Sequence, residues 1–354
     1  MLSPLIPDIR HPKWIIAQNV LECVDSKRAV KVAGRLKIKD IDYFITSIKV
    51  LLISSLFERD ISNVVSEINA INELRRFMKI KSEVKAKDIY RIQSNIDSKV
   101  IYDFLSRTIS HNKRSRNNKH QIVIVDTTSI LMDLNTWRKR YKIGKIDKEY
   151  KYSYSPSVGY YVGFKLILAI NQNYELIGFK VHENGPNDAK ILISFVEDLY
   201  RSRRIISGDV IICDRGFPSK KNYNALINRF SLIPVIYPRK NTNLQRIISN
   251  LTPPLDIFRN KYKLRKWYYI VENFKKMMNH WGHFKFIRYR IEIFFNIAKN
   301  SMNLKRNHQY TKASIEKKAS RSMFLTEYLI SMFNPIYTDL MAIPSWLNLE
   351  GGDI

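Results

Sequence analysis

Three short runs constrain the fold of this chain more than anything else in it. QIVIVD (121–126), DVIICD (209–214) and LIPVIY (232–237) are apolar at consecutive rather than alternate positions and have no charge inside them. Each is too short for a helix, and a strand of that composition must be covered on both faces. YVGFKLILAIN (161–171) and ELIGFKVHE (175–183) read as two more strands, joined by a short turn at Gln172–Tyr174. NDAKILISFVEDLYRSRR (187–204) is an amphipathic helix opened by a capping Asn187 or Asp188, and PSKKNYNALINRF (218–230) restarts a helix with proline in its first turn. A strand hairpin followed by helix–strand–helix–strand predicts a mixed α/β sheet with helices packed on it.

The chain has a different grammar on either side of this block. Residues 12–110 read as helical: Ile41 to Phe57 is long and apolar, and Ile61, Val64, Val65, Ile68, Ile71 and Leu74 recur at helical spacing. Short helices with basic outer faces suit a helix-turn-helix DNA reader, and an ordinary bundle gives the same pattern. HNKRSRNNKH (111–120) has no apolar residue and reads as a basic linker. Arg239 to Trp281 is basic and aromatic with no clean period, either a β-rich insertion or a DNA-contact segment. A helical stripe of Ile287, Ile291, Phe294 and Ala298 follows, and then one or two further helices. The expected organisation is a helical region over 1–110, the linker at 111–120, an α/β domain over 121–304 with an insertion at about 239–281, and a helical tail over 305–354.

Charge narrows the partners. The chain of 354 residues carries 60 Lys and Arg against 32 Asp and Glu, a formal net charge of +28. At 45% hydrophobic it is too rich in core formers for a disordered basic tail. So large an excess repels itself unless a polyanion meets it, and nucleic acid is the usual one. Residues 1–120 hold 23 basic and 13 acidic side chains, 121–236 hold 17 and 11, and 237–354 hold 20 and 8. The basic residues between Arg239 and Arg321 are interleaved with Trp267, Tyr268, Tyr269, Trp281, Phe284 and Phe286, so phosphate-neutralising and base-stacking groups occur together. Cys23 and Cys213 form neither a disulfide framework nor a zinc-binding spacing. No signal-peptide pattern opens the sequence, and the Ile48–Phe57 run is far short of a membrane span. A reducing, intracellular setting is expected.

Two carboxylates stand where α/β folds place their sites: Asp126 ends one buried strand and Asp214 another. A third is on the late helix, where Arg288, Glu292 and Lys299 stand at i, i+4 and i+11. At about 100° per residue these offsets put all three side chains on one face. An exposed Arg–Glu pair of this kind is worth only about 0.3–0.5 kcal/mol, but this face is set in an aromatic, apolar helix (FKFIRYRIEIFFNIAK). Asp188 either approaches the same site or caps its helix. Arg215, beside Asp214, either touches phosphate or pairs with an acid, and Trp281 either stacks on a base or packs in the core.

An aspartate ending the first strand, another ending the fourth and a glutamate on a later helix resemble the DDE constellation of ribonuclease-H-like transposases. Arg288, Glu292 and Lys299 are similar to the R-x3-E-x6-K part of the Y-x2-R-x3-E-x6-K signature of one large group of insertion-sequence transposases. VDTT (125–128), GFKLILAI (163–170), GPNDA (185–189), VIICDRGF (210–217) and YPRKN (237–241) carry the likeness over about 121–300. The signature's Tyr position is Lys285 here, which can contact phosphate but does not stack as Tyr does. The resemblance implies a ribonuclease-H-like mixed sheet flanked by helices, preceded by an all-α DNA-binding region. It implies metal-dependent cleavage at transposon ends and strand transfer into target DNA, with Asp126, Asp214 and Glu292 catalytic. Two Mg²⁺ ions (Mn²⁺ as substitute), about 3.5–4 Å apart, would be held by those three carboxylates, Asp126 bridging them. Arg288, Lys299, Lys285, Arg215, Arg239 and Trp281 would contact DNA. The implied partners are double-stranded DNA, as terminal inverted repeats and target, and a second copy in a synaptic homodimer, in the nucleoid of a prokaryotic cytoplasm. A structure-selective nuclease or resolvase on the same fold, and a non-catalytic DNA-binding derivative, are the rival readings.

Overall fold

The computed structural model describes residues 4–109, 120–132, 151–155, 159–183, 187–238, 243–305 and 311–333. They belong to two compact units. One, the helical unit, draws on Met1–His111, Ile130–Glu149 and Phe295–Phe333; the other, the sheet unit, draws on Asn112–Ser129, Tyr150–Phe294 and Asn334–Ile354.

The helical unit contains α1 (Pro12–Val24), α2 (Lys27–Arg35), α3 (Ile41–Leu56), α4 (Ile61–Ala70), α5 (Asn72–Phe77), α6 (Ala86–Asn95) and α7 (Ser98–Thr108). Its centre is α3, started by Asp40, whose side chain accepts from the Tyr43 amide at 3.0 Å. From Phe44 to Leu56 nearly every α3 residue is buried, as expected of a helix apolar on all sides. A C-terminal helix, Lys312–Phe333, packs against α3, α6 and α7. Two buried lysines fasten helix ends from within. Lys49 Nζ donates to the Met78 carbonyl at 2.8 Å, at the end of α5, and Lys317 Nζ donates to Gln93 O, in the last turn of α6. Both give orphan carbonyls a charged donor. Arg321, 3% exposed, reaches Ser55 Oγ of α3, and burial pulls its guanidinium down to about 10.

The sheet unit is built on a six-stranded mixed sheet. Its strands are β1 (Ile122–Leu131), β2 (Lys151–Ser155), β3 (Gly159–Asn171), β4 (Leu176–Glu183), β5 (Val210–Cys213) and β6 (Ile233–Ile236), with the order β2–β3–β1–β5–β6 and β4 also paired to β3. The expected hairpin is β3–β4, antiparallel, turning through Tyr174 at φ 63°. The three apolar runs are the three parallel strands: β5 pairs with β1 on one side and with β6 on the other, and all four residues of β5 and of β6 are buried. Helices flank the sheet: α8 (Asp188–Arg201) packs on β4, and α9 (Lys220–Asn224) runs into a π-helical turn at Ala225–Arg229. The strand order and the flanking helices are those of a ribonuclease-H-like fold.

Among the described residues, the segment after β6 is helical and without strands, which removes the β-rich alternative there: α10 (Leu244–Ser249), α11 (Leu255–Phe258) and α12 (Lys261–Asn279). Its period was masked by the exposed tyrosines and lysines between the core positions. Trp267, Ile270, Val271, Phe274, Met277 and Met278 form one buried stripe on α12, which packs on β6. Helix α13 (Trp281–Asn300) follows directly, and the C-terminal helix is α14.

Candidate active site

The geometry starts with register. Val125 of β1 lies opposite Cys213 of β5 in a parallel pair, so Asp126 and Asp214, each one residue further along, stand side by side. Asp214 follows the last residue of β5, whereas Asp126 does not end its strand as expected but lies midway along β1, which runs on to Leu131. The four residues before each aspartate are apolar and buried, so both strands are anchored in the core up to the point where the carboxylates begin. Cys213 between them is a small buried hydrophobe; burial and the two aspartates raise its thiol well above the usual range.

Helix α13 supplies the third carboxylate and the group that joins all three. Arg288 Nη1 is 3.6 Å from Asp126 Oδ2 and 3.8 Å from Asp214 Oδ2. Its Nη2 donates to Glu292 Oε1, one helical turn on. Burial opposes the charge on Arg288, but Asp214, Glu292 and Asp126 outweigh it, and the guanidinium is held above its ordinary value. Its Nε is buried with no hydrogen-bond partner among the described residues. Asp126 shows the converse. Burial pushes its carboxyl up to about 7; Asp214 and Asp188 add to the rise, while the Thr127 amide, donating at 2.7 Å, and Arg288 only partly oppose it.

Asp188 is part of this environment, and its helix is capped by its neighbour: Asn187 accepts from the Ala189 amide at 3.1 Å. Asp188 instead pairs with Lys165 of β3 at 2.8 Å. Lys165 is the site residue that sequence reasoning passed over, although a lone lysine inside the apolar GFKLILAI was a signal. The DRGF turn after β5 closes against the same carboxylate. A Cβ on Gly216 would stand 2.6 Å from Asp188 Oδ2. Buried Asn222 donates to the carbonyls of Phe217 (2.8 Å) and Ala189 (3.0 Å), tying that turn to the start of α8. The four carboxylates and two cations of the cluster leave a formal excess of two negative charges.

The other expected residues fall in three places. Trp281 and Lys285 line one small cavity with Arg288, Cys213 and Tyr237. Trp281 packs edge-on against Tyr237 (4.2 Å between centroids), and Arg215 lies over the same ring at 4.2 Å while donating to its hydroxyl at 2.8 Å. Lys299 lies on the 295–300 part of α13, which belongs to the helical unit. Arg239 is outside the described residues. Among the described residues no three His, Cys, Asp or Glu side chains are gathered closely enough to hold a metal ion. What the three carboxylates share in this structure is the Arg288 guanidinium.

A ribonuclease-H-like sheet whose adjacent parallel strands both carry an aspartate, with a glutamate from a following helix, defines the structural class of this site. Within that class, the family model for the transposase DDE domain matches residues 117–325, well over half of the chain. The chain belongs to the transposase DDE domain family. Among solved structures, a piggyBac transposase synaptic complex with hairpin DNA is similar at 12% identity, covering 99% of this chain and 88% of that chain with a TM-score of 0.38. No curated protein matches the chain. Among the described residues no helix is long and apolar enough to cross a membrane.

Proposed function

We propose that this chain is a transposase of the Y-R-E-K insertion-sequence group, cutting at the ends of its element and joining the freed 3′-hydroxyl to target DNA. The observation that carries the reading is the convergence of Asp126, Asp214 and Glu292 on one guanidinium, in a chain of the transposase DDE domain family. In this reading those three side chains are catalytic and Arg288 contacts the DNA phosphates beside them. Lys285, Arg215, Trp281, Lys299 and Arg239 are further DNA contacts. Residues 121–304 form the catalytic domain and 1–110 a DNA-binding region joined to it by the basic linker, with 305–354 as a helical tail. Two copies would bridge two inverted repeats in the nucleoid.

The residues fit a divalent metal in their chemistry. All donors are hard oxygens, and Asp126 is pushed toward protonation by burial and neighbouring acids, the condition a bound cation relieves. Asp126, Asp214 and Glu292 would hold Mg²⁺, or Mn²⁺ in its place, as two ions, at the negative charge that the Arg288 guanidinium partly neutralises in this structure. The metal, when bound, supplies activation of the attacking hydroxyl and charge stabilisation of the leaving oxygen. The protein's own part is to hold Asp126 and Asp214 in fixed register on paired strands and to offer Arg288 to the phosphate. In the same unit, α12 presents exposed Tyr262, Tyr268 and Tyr269 among lysines, a surface suited to stacking and backbone contact.

The test uses labelled oligonucleotides of the element's ends. Asp126→Asn is expected to lower Mg²⁺-dependent cleavage by about a thousandfold or more while leaving duplex affinity unchanged. Retained cleavage removes the assignment. Wild-type cleavage without joining marks a nuclease or resolvase, and binding without either reaction marks a non-catalytic DNA-binding protein.

A further inference from the structure

We propose that α2 and the end of α7 form a seat for the DNA backbone, holding consecutive phosphates of one strand without reading bases. The inference rests on the DNA-transposition reading above and assigns one of its contact surfaces. A pocket of about 390 Å³ in the helical unit is lined by Arg28, Lys31, Val32, Arg35 and Arg107. Four of its five lining residues are cationic, and all four are exposed. None of the four makes an ion pair or hydrogen bond with any described residue.

The acids that could neutralise the pocket are engaged elsewhere. Asp25 is paired with buried Lys49 at 2.5 Å, Asp40 caps α3, and Glu22 accepts from Gln18. Asp103 is one turn before Arg107 on α7, yet the two form no ion pair. Helix α2 has no acidic residue of its own.

The cluster is not needed for packing. Ala29, Val32 and Ala33 provide the buried face of α2, whereas Arg28, Lys31 and Arg35 follow i, i+3, i+7 spacing within about 60° of arc. Gathering like charges on one helix face opposes helix formation. The row covers about 10 Å along the axis at about 1.5 Å per residue. Phosphates along one DNA strand advance by about 3.4 Å each, so the row spans about three phosphate-to-phosphate steps. Arg107, from the neighbouring helix, faces the row across the pocket. The pocket is lined by long cationic side chains in a row along one helix face, with no amide, hydroxyl or aromatic group beside them, an arrangement suited to the continuous sugar–phosphate chain.

The experiment measures duplex binding by the full chain over a range of salt, with an end duplex and an unrelated duplex. A variant with Arg28, Lys31, Arg35 and Arg107 all changed to Gln is compared with one in which the exposed Lys79, Lys81, Lys85 and Lys87 are changed to Gln. The seat predicts that the first variant loses at least tenfold in affinity for both duplexes alike. The slope of log K against log salt should shrink in magnitude by about 3, since each phosphate contact contributes about 0.9. Its melting temperature should stay that of the wild type, and the control variant should lose far less. Equal losses in the two variants would show a net-charge effect and overturn the seat. Loss of inorganic tripolyphosphate binding with duplex affinity retained would overturn the DNA assignment. A wild type that binds and cleaves DNA beside an unaffected first variant overturns the seat and leaves the transposase reading standing. A wild type that neither binds nor cleaves duplex overturns both.

Discussion

The helical unit and the sheet unit use positive charge in opposite ways. In the sheet unit, Arg288 is surrounded by three carboxylates and still does not satisfy them, since Asp126 remains pushed up to about 7. In the helical unit, buried Lys49, Lys317 and Arg321 are tied to carbonyls, a carboxylate and a hydroxyl of the fold, while Arg28, Lys31, Arg35 and Arg107 face a pocket with no acid. These cations thus serve in three ways: as internal fasteners, as a local counter-charge, and as a surface group without an ion pair among the described residues. Only the last should respond steeply to salt, because the others are sheltered from the ionic atmosphere.

Substitution separates these uses, and the largest loss of stability belongs to the fasteners. Lys49→Ala removes a side chain that is 4% exposed, along with its bonds to Asp25 and to the Met78 carbonyl. Leaving a partly buried carboxylate and a helix-end carbonyl without a donor should cost about 3 kcal/mol, measured by urea unfolding. A loss under about 0.5 kcal/mol, the range of ordinary surface substitutions, would place Lys49 with the surface cations and erase the distinction.

The sheet unit should respond in the other direction. The Asp126 carboxyl, at about 7 in the folded chain against 3.8 ordinarily, binds its proton more tightly folded than unfolded. Stability contributed by this group is therefore full at acid pH and falls as pH rises from about 4 through about 7. In buffer with a chelator, Asp126→Asn should abolish that fall. At pH 8 it should be more stable than the wild type by roughly 2–4 kcal/mol, the three-unit rise taken at 1.36 kcal/mol per unit as an upper bound. Parallel melting curves at pH 5 and pH 8 test it. A variant no more stable at pH 8 than at pH 5, relative to wild type, would mean that Arg288 already neutralises the site.

The contrast between the units also explains which parts could be read in advance. Asp126 and Asp214 were legible as neighbours because the runs before them are wholly apolar, the pattern of strands buried on both faces in the middle of a sheet; their register is given by the strand pairing and not by that pattern. The hairpin and α8 were legible for the same reason, their periods being clean. Helix α12 was not, because Tyr262, Tyr268 and Tyr269 are exposed, so aromaticity there carries no information about burial. The role of Arg288 as the common partner of three acids was not legible either. Helical phase placed it beside Glu292, but its reach to the aspartates of two neighbouring strands depends on how α13 lies across the sheet, which no local pattern encodes. Lys165 and Asp188 lie 23 positions apart, and their pairing is likewise a product of topology.

Gly216 offers the most local way to sharpen the comparison, because it tests whether the acidic cluster is held as rigidly as the fasteners are. A methyl group there would sit 2.6 Å from Asp188 Oδ2 and 3.3 Å from its Cβ and Cγ. The carboxylate cannot yield freely, being held by Lys165 at 2.8 Å at the first turn of α8. The turn cannot yield freely either, since the Phe217 amide donates to Asp214 O at 3.1 Å and Asn222 holds the Phe217 carbonyl. Gly216→Ala should therefore cost about 1–2 kcal/mol, in the range of small overpacking defects. The double change of Gly216→Ala with Asp188→Ala should recover part of that loss, giving a coupling of about 1 kcal/mol in a double-mutant cycle. A cycle with no coupling would show that Asp188 moves aside at no cost. The DRGF turn, and Asp214 with it, would then be positioned by strand register alone.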